Sequence, residues 1–414
     1  MGFEVKSIGE VCSVGDGAHS KVTRVETGIP YLTSKNIGQG FLKLDKLDYI
    51  SEESFEKLFS KDSKATRRPQ AGDVLFGIIG SFGNTYLYKE SDFFGFSSSI
   101  GILRPNPELL DSEYLYYVVS SKKFRDNHAN HNSGSVQGYT NIPTVKGLPL
   151  PVPSIAVQKK IAKVLQSLDR KIAVNQQTNQ TLEAMAQAIF KSWFVDFDPV
   201  KAKMRGEQPE GMDEATASLF PEKLVESELG LIPEGWEAVQ IGDIVERLKP
   251  KKRYTKKQVE PYGKTPVYEQ GASILLGFHN DDAGFDASPE EPVFIFGDHT
   301  CITHLSCSKF DISSNVIPLK GSIRPTIWTY YAIQGKQEFQ EYRRHWSEFI
   351  IKGVVLPPIE LAEKYAELVT TNYLMMESLK RQSKELEQLR DTLLPKLLSG
   401  EIELGQAQEL AEVE

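Results

Sequence analysis

The stretch IAKVLQSLDRKIAVNQQTNQTLEAMAQAIFKSW, residues 161–193, decides the fold because one pattern runs through its whole length. Apolar or amide side chains recur in it at alternating steps of four and three residues, at Ile161, Leu165, Leu168, Ile172, Asn175, Asn179, Leu182, Ala186, Ile189 and Trp193. A period of 3.5 residues is typical of a helix that pairs with another helix, and polar seam residues fix the register. The stretch therefore predicts a helix about 50 Å long, at about 1.5 Å per residue.

A second stretch, residues 361–393, repeats this pattern near the other end of the chain. Its positions are Leu361, Tyr365, Leu368, Asn372, Met375, Leu379, Gln382, Leu386, Leu389 and Leu393. We predict that the two helices pair as an antiparallel coiled coil. The main pairing contacts are predicted at Ile161, Leu165, Leu168, Ile172, Leu182, Leu368, Leu379, Leu386 and Leu389. The alternative is that each is an ordinary amphipathic helix packed on its own domain.

The blocks that precede the two helices resemble each other, which indicates a tandem duplication. Short matches follow the same order in both halves, beginning with GFE and IGEV at residues 2–11 against GWE and IGDI at residues 235–244. They end with KG and LP at 146–151 against 352–357, and the offset falls steadily from 233 to 206 residues. A regular order of weak matches predicts that one domain-plus-helix unit is written twice.

Each block alternates short β-rich runs with glycine, proline and asparagine turns, which predicts a mixed α/β (α+β) fold. Short helices are predicted at 111–126 and 325–343. Asp198-Pro199 is predicted to end the first long helix, and Pro395 with Gly400 the second. The predicted boundaries are 1–152 for the first block, 153–200 for the central helix, 201–232 for a polar linker, 233–356 for the second block, 357–404 for the C-terminal helix and 405–414 for an acidic tail.

The composition limits the class of protein. The 414 residues carry a formal net charge of −8, but residues 1–150 are neutral and residues 359–414 alone contribute −6. A neutral block can still have a basic face, because nucleic acid responds to the local potential. No run of 18 apolar residues and no leader sequence is present, and three scattered cysteines do not make a disulfide framework. We therefore expect a cytoplasmic protein that does not enter a membrane.

Catalytic signatures are weak. Gly263-Lys264-Thr265 ends like a phosphate-binding loop, but Gln258 stands where the first glycine is needed. No methylation loop of the Asn/Asp-Pro-Pro-aromatic type occurs. The His299–Cys307 segment has four potential zinc ligands but no CxxC pair, so strand residues are the better interpretation. We expect no enzyme activity, no metal and no cofactor on this chain itself.

Basic, amide and aromatic residues cluster in both blocks and predict DNA contacts. Such side chains contact phosphates and base edges, although any single cluster is as readily a solvated surface. The candidates are Lys35, Asn36, Arg67, Arg68, Ser135, Gln137, Tyr139, Asn141, Lys251, Lys252, Arg253, Tyr254, Arg343 and Arg344.

Several longer motifs resemble the specificity (S) subunit of type I restriction–modification enzymes. They are IPYLTSKNI (29–37), AGDVLFGIIGSFGN (71–84), the run from Ser133 to Ile172, LEAMAQAIFKSWFVDFDPV (182–200), LGLIPEGWEAVQIGDI (229–244), EPVFIFG (291–297) and LRDTLLPKLLSGEIEL (389–404). The second half departs from the first, since HWSEFIIKG lacks the Ser-Gly-Ser-Val-Gln run of residues 133–137 and IELAEKYAEL lacks the pattern Gln158-Lys159-Lys160. Base-contacting residues therefore do not transfer between the halves.

The resemblance implies two target-recognition domains, each reading one half of a bipartite sequence in double-stranded DNA. It also implies that the paired helices set the gap between the half-sites and dock two methyltransferase (M) subunits and the restriction (R) subunits. S-adenosylmethionine, ATP and magnesium would belong to those partners. Two other functions stay open at this stage: a protein-interaction scaffold with a coiled-coil spacer, and a self-contained DNA methyltransferase without a recognisable motif.

Overall fold

The computed structural model describes residues 3–62, 65–81, 83–131, 138–399, 401–402 and 405–407. It divides into two compact units. Unit 1 consists of Met1–Ala173 with Ser383–Glu414, and unit 2 consists of Val174–Gln382. Both long helices cross this division, so that each unit contains part of both.

Among the described residues of unit 1, nine strands form three sheets. They are β1 (Val5–Ser7), β2 (Cys12–Asp16), β3 (Ile29–Leu32), β4 (Asp48–Ile50), β5 (Val74–Gly77), β6 (Thr85–Leu87), β7 (Gly95–Phe96), β8 (Ile100–Pro105) and β9 (Pro149–Pro151). An antiparallel sheet has the order β2-β8-β5-β6, a second sheet has the order β4-β3-β7, and β1 pairs with β9. Strand β5 is buried along its whole length, which explains why its sequence VLFG is continuously apolar.

Five short helices complete the first block. They are α1 (Ile8–Val11), α2 (Glu52–Leu58), α3 (Ser112–Ser120), α4 (Lys122–Asn130) and α5 (Ile142–Gly147). The single helix predicted at 111–126 is instead two helices, because Ser121 adopts an extended conformation. The Ser121 hydroxyl then accepts a hydrogen bond from Phe124 N and begins α4.

Unit 2 contains twelve strands. They are β10 (Leu224–Ser227), β11 (Gly230–Pro233), β12 (Glu237–Gln240), β13 (Val245–Arg247), β14 (Arg253–Tyr254), β15 (Thr265–Tyr268), β16 (Leu275–His279), β17 (Val293–Gly297), β18 (Thr303–Ser306), β19 (Asp311–Ser313), β20 (Val316–Gly321) and β21 (Gly353–Leu356). The sheet orders are β13-β20-β17-β18 and β14-β19-β15-β16, with separate pairs β10-β11 and β12-β21.

The succession of elements in unit 2 is close to that in unit 1. In each unit an early strand, β1 in unit 1 and β12 in unit 2, pairs with the strand just before the long helix, and an antiparallel sheet of four strands follows. Each unit also has a second sheet with parallel pairing, β3-β7 in unit 1 and both β14-β19 and β15-β19 in unit 2. The mixed α/β fold expected from the sequence is therefore present in both units.

The remaining short helices of unit 2 correct two predictions. They are α7 (Asp198–Met204), α8 (Glu214–Ser218), α9 (Ile241–Ile244), α10 (Thr326–Ile333) and α11 (Trp346–Phe349). The helix predicted at 325–343 ends at Ile333, ten residues early. The polar linker predicted at 201–232 is largely folded, because α8 and the β10-β11 hairpin occupy it and Phe220 is buried in the core of unit 2.

The two long helices are α6 (Ile155–Phe194) and α12 (Ile359–Ser399). Helix α12 continues through Pro395, which was predicted to help end it. The neighbouring side chains Leu393, Leu394 and Leu397 are buried in the core of unit 1, and this packing offsets the cost of the proline. The acidic tail predicted at 405–414 lies mostly outside the described residues.

Hydrogen bonds join the two long helices in the antiparallel sense. In unit 1, Arg390 Nη1 donates to Asp169 Oδ1 at 2.8 Å. In unit 2, Asn175 Nδ2 donates to Gln382 Oε1 at 2.9 Å, and Tyr365 Oη donates to the Ala186 carbonyl at 3.1 Å. The partner residue number therefore falls as the number on α6 rises.

Most predicted pairing residues are buried, but part of the seam in α12 is displaced by one residue. Buried positions are Ile161, Leu165, Leu168, Ile172 and Leu386, whereas Leu182, Leu379 and Leu389 are partly buried. The prediction for Leu368 is wrong, because this side chain is 42% exposed while Val369 is buried. Residues 365, 369 and 373 follow each other at steps of four, since this half of α12 packs into the core of unit 2 as well as towards α6.

Candidate nucleic-acid interface

The basic run at residues 249–257 of unit 2 contains a short strand. Arg253 and Tyr254 form strand β14, which pairs in parallel with β19. Arg253 Nη1 donates hydrogen bonds to the carbonyls of Ser313 (2.7 Å) and Val316 (2.9 Å). The Arg253 guanidinium therefore fixes the strand edge, and its assignment as a DNA contact stays a prediction.

Tyr254 is also a structural residue. Its ring is buried and stacks on His279 with centroids 4.2 Å apart. His279 Nε2 lies 3.0 Å from Asp311 Oδ2. The Tyr254 ring therefore packs against a buried His–Asp pair. The Lys252 ammonium lies 4.2 Å from the centroid of the Tyr254 ring and 3.7 Å from the Asp281 carboxylate.

Three lysines of the same run remain available to a ligand. Lys251, Lys256 and Lys257 are exposed, and within the described residues none of them forms an ion pair. Close by in sequence, Tyr262 projects from the turn Pro261–Gly263 and is 87% exposed. Sequence reasoning missed Tyr262, although an aromatic residue between proline and glycine is a signal for a presented side chain.

Arg67 and Arg68 of unit 1 have different environments. Arg68 forms a two-point ion pair with Glu56, at 2.7 and 3.0 Å, and its guanidinium lies over the Phe55 ring. This hydrogen bonding lowers the pKa of Glu56 below its ordinary value. Arg68 therefore holds helix α2, and its assignment as a DNA contact stays a prediction. Arg67 lines a cavity of ≈430 Å³ together with Lys146, and its buried Nε has no hydrogen-bond partner among the described residues.

Asn36 is used within unit 1 rather than presented to a ligand. Its Oδ1 accepts hydrogen bonds from the amide and hydroxyl of Thr33, at 2.9 and 3.1 Å. Its Nδ2 donates to the carbonyls of Lys43 and Lys46, both at 3.1 Å. Both donors and the acceptor of the amide are thus occupied. Asn36 shapes a turn, and its role as a DNA contact stays a prediction. The neighbouring Lys35 is exposed and forms no ion pair with any described residue.

The turn that Asn36 shapes carries residues that sequence reasoning missed. Lys43 and Lys46 are exposed, and no ion pair is recorded for either in the described part of the chain. Phe41, at the tip, is 54% exposed. We call residues Lys35–Lys46 the turn loop of unit 1. Its signal in the sequence is the run GQGFLKLDK, which places an aromatic residue between glycines and lysines.

The other predicted contacts are divided between exposed and structural positions. Ser135 and Gln137 lie outside the described residues. Tyr139 is 42% exposed, and Asn141 caps helix α5 by accepting a hydrogen bond from Thr144 N at 2.8 Å. In unit 2, Arg343 pairs with Glu341 and Glu348, and its assignment as a DNA contact stays a prediction.

Arg344 differs from its neighbour because its side chain is 80% exposed and lies 3.8 Å from Asp298. An ion pair of this length at the surface is weak, so that Arg344 remains available to a phosphate. Tyr342, two residues earlier, is also exposed, at 72%.

Features of an enzyme site are not evident in the described residues. No group of three or more His, Cys, Asp or Glu side chains there is arranged to hold a metal ion. Burial raises the pKa of the Cys12 and Cys307 thiols to about 12, so that both are neutral at pH 7. No helix among the described residues is both long and apolar enough to cross a membrane.

Comparison with known proteins identifies the class. Residues 1–184 match a family model described as "Type I restriction modification DNA specificity domain". The chain is 26% identical over 409 residues to the Type I restriction enzyme HindI specificity subunit of Haemophilus influenzae, covering 82% of this chain and 88% of the relative. It is 24% identical over 438 residues to the MjaIX specificity subunit of Methanocaldococcus jannaschii, covering 96% and 92%.

A solved structure shares the fold. The type I restriction–modification S subunit from M. genitalium superposes with a TM-score of 0.50 at 16% identity, covering 95% of this chain and 96% of that chain. Residues 1–184 of the present chain are thus similar to type I specificity domains. The resemblance to type I specificity subunits predicted from the motifs is thereby confirmed.

Proposed function

We propose that this chain is the DNA sequence-specificity subunit of a type I restriction–modification complex and is not itself catalytic. The single observation that carries the proposal is the family match over residues 1–184, in the unit that presents the lysine-rich turn loop. The described residues offer exposed lysines without ion pairs in both units, and these suit a phosphate backbone.

Each unit would read one half of a bipartite target in double-stranded DNA. The parallel succession of elements in the two units supports a tandem duplication, and two equivalent readers imply two half-sites. The antiparallel hydrogen bonds and the buried seam residues support a coiled coil of α6 with α12. In this proposal the helix pair is the spacer between half-sites.

Two methyltransferase subunits and the restriction subunits would dock on this framework. S-adenosylmethionine, ATP and magnesium are assigned to those partners in the proposal. The buried neutral thiols of Cys12 and Cys307 suit a framework and reading role. Chemistry at the target base would then be carried out by the partners alone.

The test is selection of bound duplexes from a random-sequence DNA library by the full chain together with its methyltransferase partners. The expected result is a consensus of two short specified segments separated by a gap of fixed length and no preference. A library that remains unenriched after repeated rounds would contradict the DNA-recognition role. A single uninterrupted consensus would contradict the assignment of one half-site to each unit.

A further inference from the structure

Phe41 is an exposed aromatic side chain on a rigid support. The Gly38 amide donates to the Phe41 carbonyl at 2.8 Å, and the Lys43 amide donates to the Asn36 carbonyl at 2.8 Å. A Cβ at Gly38 would lie 2.6 Å from the Phe41 ring, so the ring rests on the bare glycine backbone. The position of the ring is therefore set before any ligand arrives.

The turn loop is also tied to the neighbouring turn of unit 1. The Gly40 amide donates to the Thr85 carbonyl at 2.9 Å, and Gly40 has the left-handed φ of 82° that glycine adopts readily. Gln39 Nε2 donates to Asn84 Oδ1 at 3.0 Å, and Asn84 Nδ2 donates to the Ile37 carbonyl at 2.8 Å. These bonds reduce the entropy lost when the loop is immobilised by a ligand.

The charge around Phe41 selects an anionic ligand with flat faces. Lys35, Lys43 and Lys46 are exposed, and the described residues supply no carboxylate within ion-pair distance of any of them. Phe41 itself has no aromatic ring contact there, in contrast to Phe93, which is equally exposed but packs on Phe55 at 5.0 Å. Duplex DNA offers phosphates and stacked base faces together.

We propose that Phe41 inserts at a base step of the half-site read by unit 1 and stacks on the partly opened base pairs. The three lysines would hold the flanking phosphates. Apolar side chains that enter a groove in this way unstack and bend DNA, at a cost that depends on the base step. Phe41 would thus contribute to specificity without a hydrogen bond to a base edge. This inference rests on the proposed DNA-recognition function.

Tyr262 of unit 2 has the same combination of features. Its turn is held by a hydrogen bond from Glu260 N to the Phe278 carbonyl at 2.8 Å and one from Lys264 N to Asn280 Oδ1 at 3.1 Å. Lys256 and Lys257 lie a few residues before it. We assign Tyr262 the stacking role in the half-site read by unit 2.

The experiment uses the full chain with its methyltransferase partners and the duplex obtained by selection from the random library. 2-Aminopurine, whose fluorescence rises when it is unstacked, replaces one adenine of the half-site at a time. Wild-type protein is expected to raise the fluorescence at one step. Phe41→Ala is expected to abolish that rise and to weaken binding about 5- to 100-fold, in line with the loss of one stacked base. Phe41→Trp should retain both the fluorescence rise and the wild-type affinity.

Two controls separate stacking from folding and charge. Phe93→Ala removes an equally exposed ring of unit 1 and should change neither signal. The triple variant Lys35→Ala, Lys43→Ala, Lys46→Ala should weaken binding and flatten its salt dependence, yet keep the fluorescence rise at saturating protein. An unchanged fluorescence rise in Phe41→Ala, with or without loss of affinity, would overturn the inference. Failure of the wild-type chain to select any duplex would instead overturn the proposed function.

Discussion

The two units attach their α/β blocks to the long helices at the same place but with different chemistry. In unit 1, Tyr117 Oη donates to Asp169 Oδ2 at 2.7 Å, and Arg390 pairs with the other oxygen of this carboxylate at 2.8 Å. In unit 2 the carboxylate is Glu183, and its partners are two phenols, Tyr331 at 2.8 Å and Tyr373 at 2.7 Å. One junction is an ion pair, whereas the other contains a single charge.

The packing around the junctions differs in the same way. Phe190 of α6 contacts the rings of Phe194, Trp328, Tyr331 and Tyr365 in unit 2, with centroids 5.0 to 6.2 Å apart. The side chains of α12 that enter the core of unit 1 are aliphatic leucines. Burial raises the pKa of Tyr331 and of Tyr373 well above its ordinary value, so that both phenols remain neutral donors.

This difference in charge between the junctions favours pairing of α6 with α12 over pairing of α6 with a second copy of α6. Arg390 lies on α12 but belongs to unit 1, and Glu183 lies on α6 but belongs to unit 2. Each of these residues therefore comes from the long helix that follows the α/β block of the other unit. If α6 paired with a second copy of α6 in the same arrangement, Glu183 would take the place of Arg390 beside Asp169. Two carboxylates would then share one site, which is unfavourable. Similar elements with unlike charges therefore favour pairing of α6 with α12.

The largest effect is expected from Phe190→Ala. Removal of a buried ring with four aromatic neighbours should cost about 3–5 kcal/mol. The loss of protection against hydrogen exchange should be concentrated in unit 2. Leu397→Ala is the matched change in unit 1, with an expected cost of about 2–4 kcal/mol that is concentrated there. If both variants weakened both units equally, the two junctions would not be separate stabilising centres.

Arg390→Ala should have the next largest effect, about 1–2 kcal/mol, because it leaves Asp169 with Tyr117 alone. Both members of this ion pair are about one-third exposed, so screening should matter. We expect the cost to shrink when the denaturation is repeated in about 1 M salt. A cost that stays constant with salt would show that the Arg390 stem, rather than its charge, supports the junction.

Tyr373→Phe should destabilise unit 2 by about 1 kcal/mol, since it removes one hydrogen bond to Glu183. The effect should be insensitive to salt, in contrast to that of Arg390→Ala. Denaturation midpoints measured at low and high salt for both variants make the comparison directly. A strong salt dependence for Tyr373→Phe would contradict the description of this junction as a neutral one.

The smallest effect concerns pH and should be alike in the two units. Burial lowers the pKa of His128 in unit 1 and of His304 in unit 2 to about 4, from an ordinary value near 6.5. Because the unfolded chain binds these protons first, stability should fall as the pH drops from about 6.5 to 4. His128→Phe or His304→Phe should reduce the fall between pH 7 and pH 5 by about 1 kcal/mol each. An unchanged pH dependence would contradict this assignment.

The sequence predicts the architecture well because periodicity and repetition depend on many residues at once. The seam of α6 is recovered from Ile161 to Trp193, and the strand DVLFGII appears as β5. The seam of α12 fails at Leu368 because packing of Val369 and Tyr373 into the core of unit 2 competes with pairing to α6. One sequence cannot show which of two apolar neighbours a domain core will take.

The interface is predicted less well, because the sequence shows residue type but not hydrogen-bond partners. Asn36, Arg68 and Arg253 have the chemistry of DNA contacts, yet backbone carbonyls and a carboxylate of the same unit occupy them. The residue types of Lys43 and Phe41 do not by themselves indicate a DNA contact. They are recognised as candidates only when the structure shows that Asn36 shapes the turn that carries them. Whether a side chain is available to contact DNA depends on the groups that surround it in the folded unit.

The central claim is that each unit reads its own half-site, and removing one stacking ring at a time tests it most directly. The changed residue is Phe41 in unit 1 or Tyr262 in unit 2, each replaced by alanine in the full chain. Selection from the random duplex library with the methyltransferase partners is then repeated. We predict that each variant weakens information in one segment of the consensus and leaves the other segment intact. Equal loss in both segments from either variant would contradict the account.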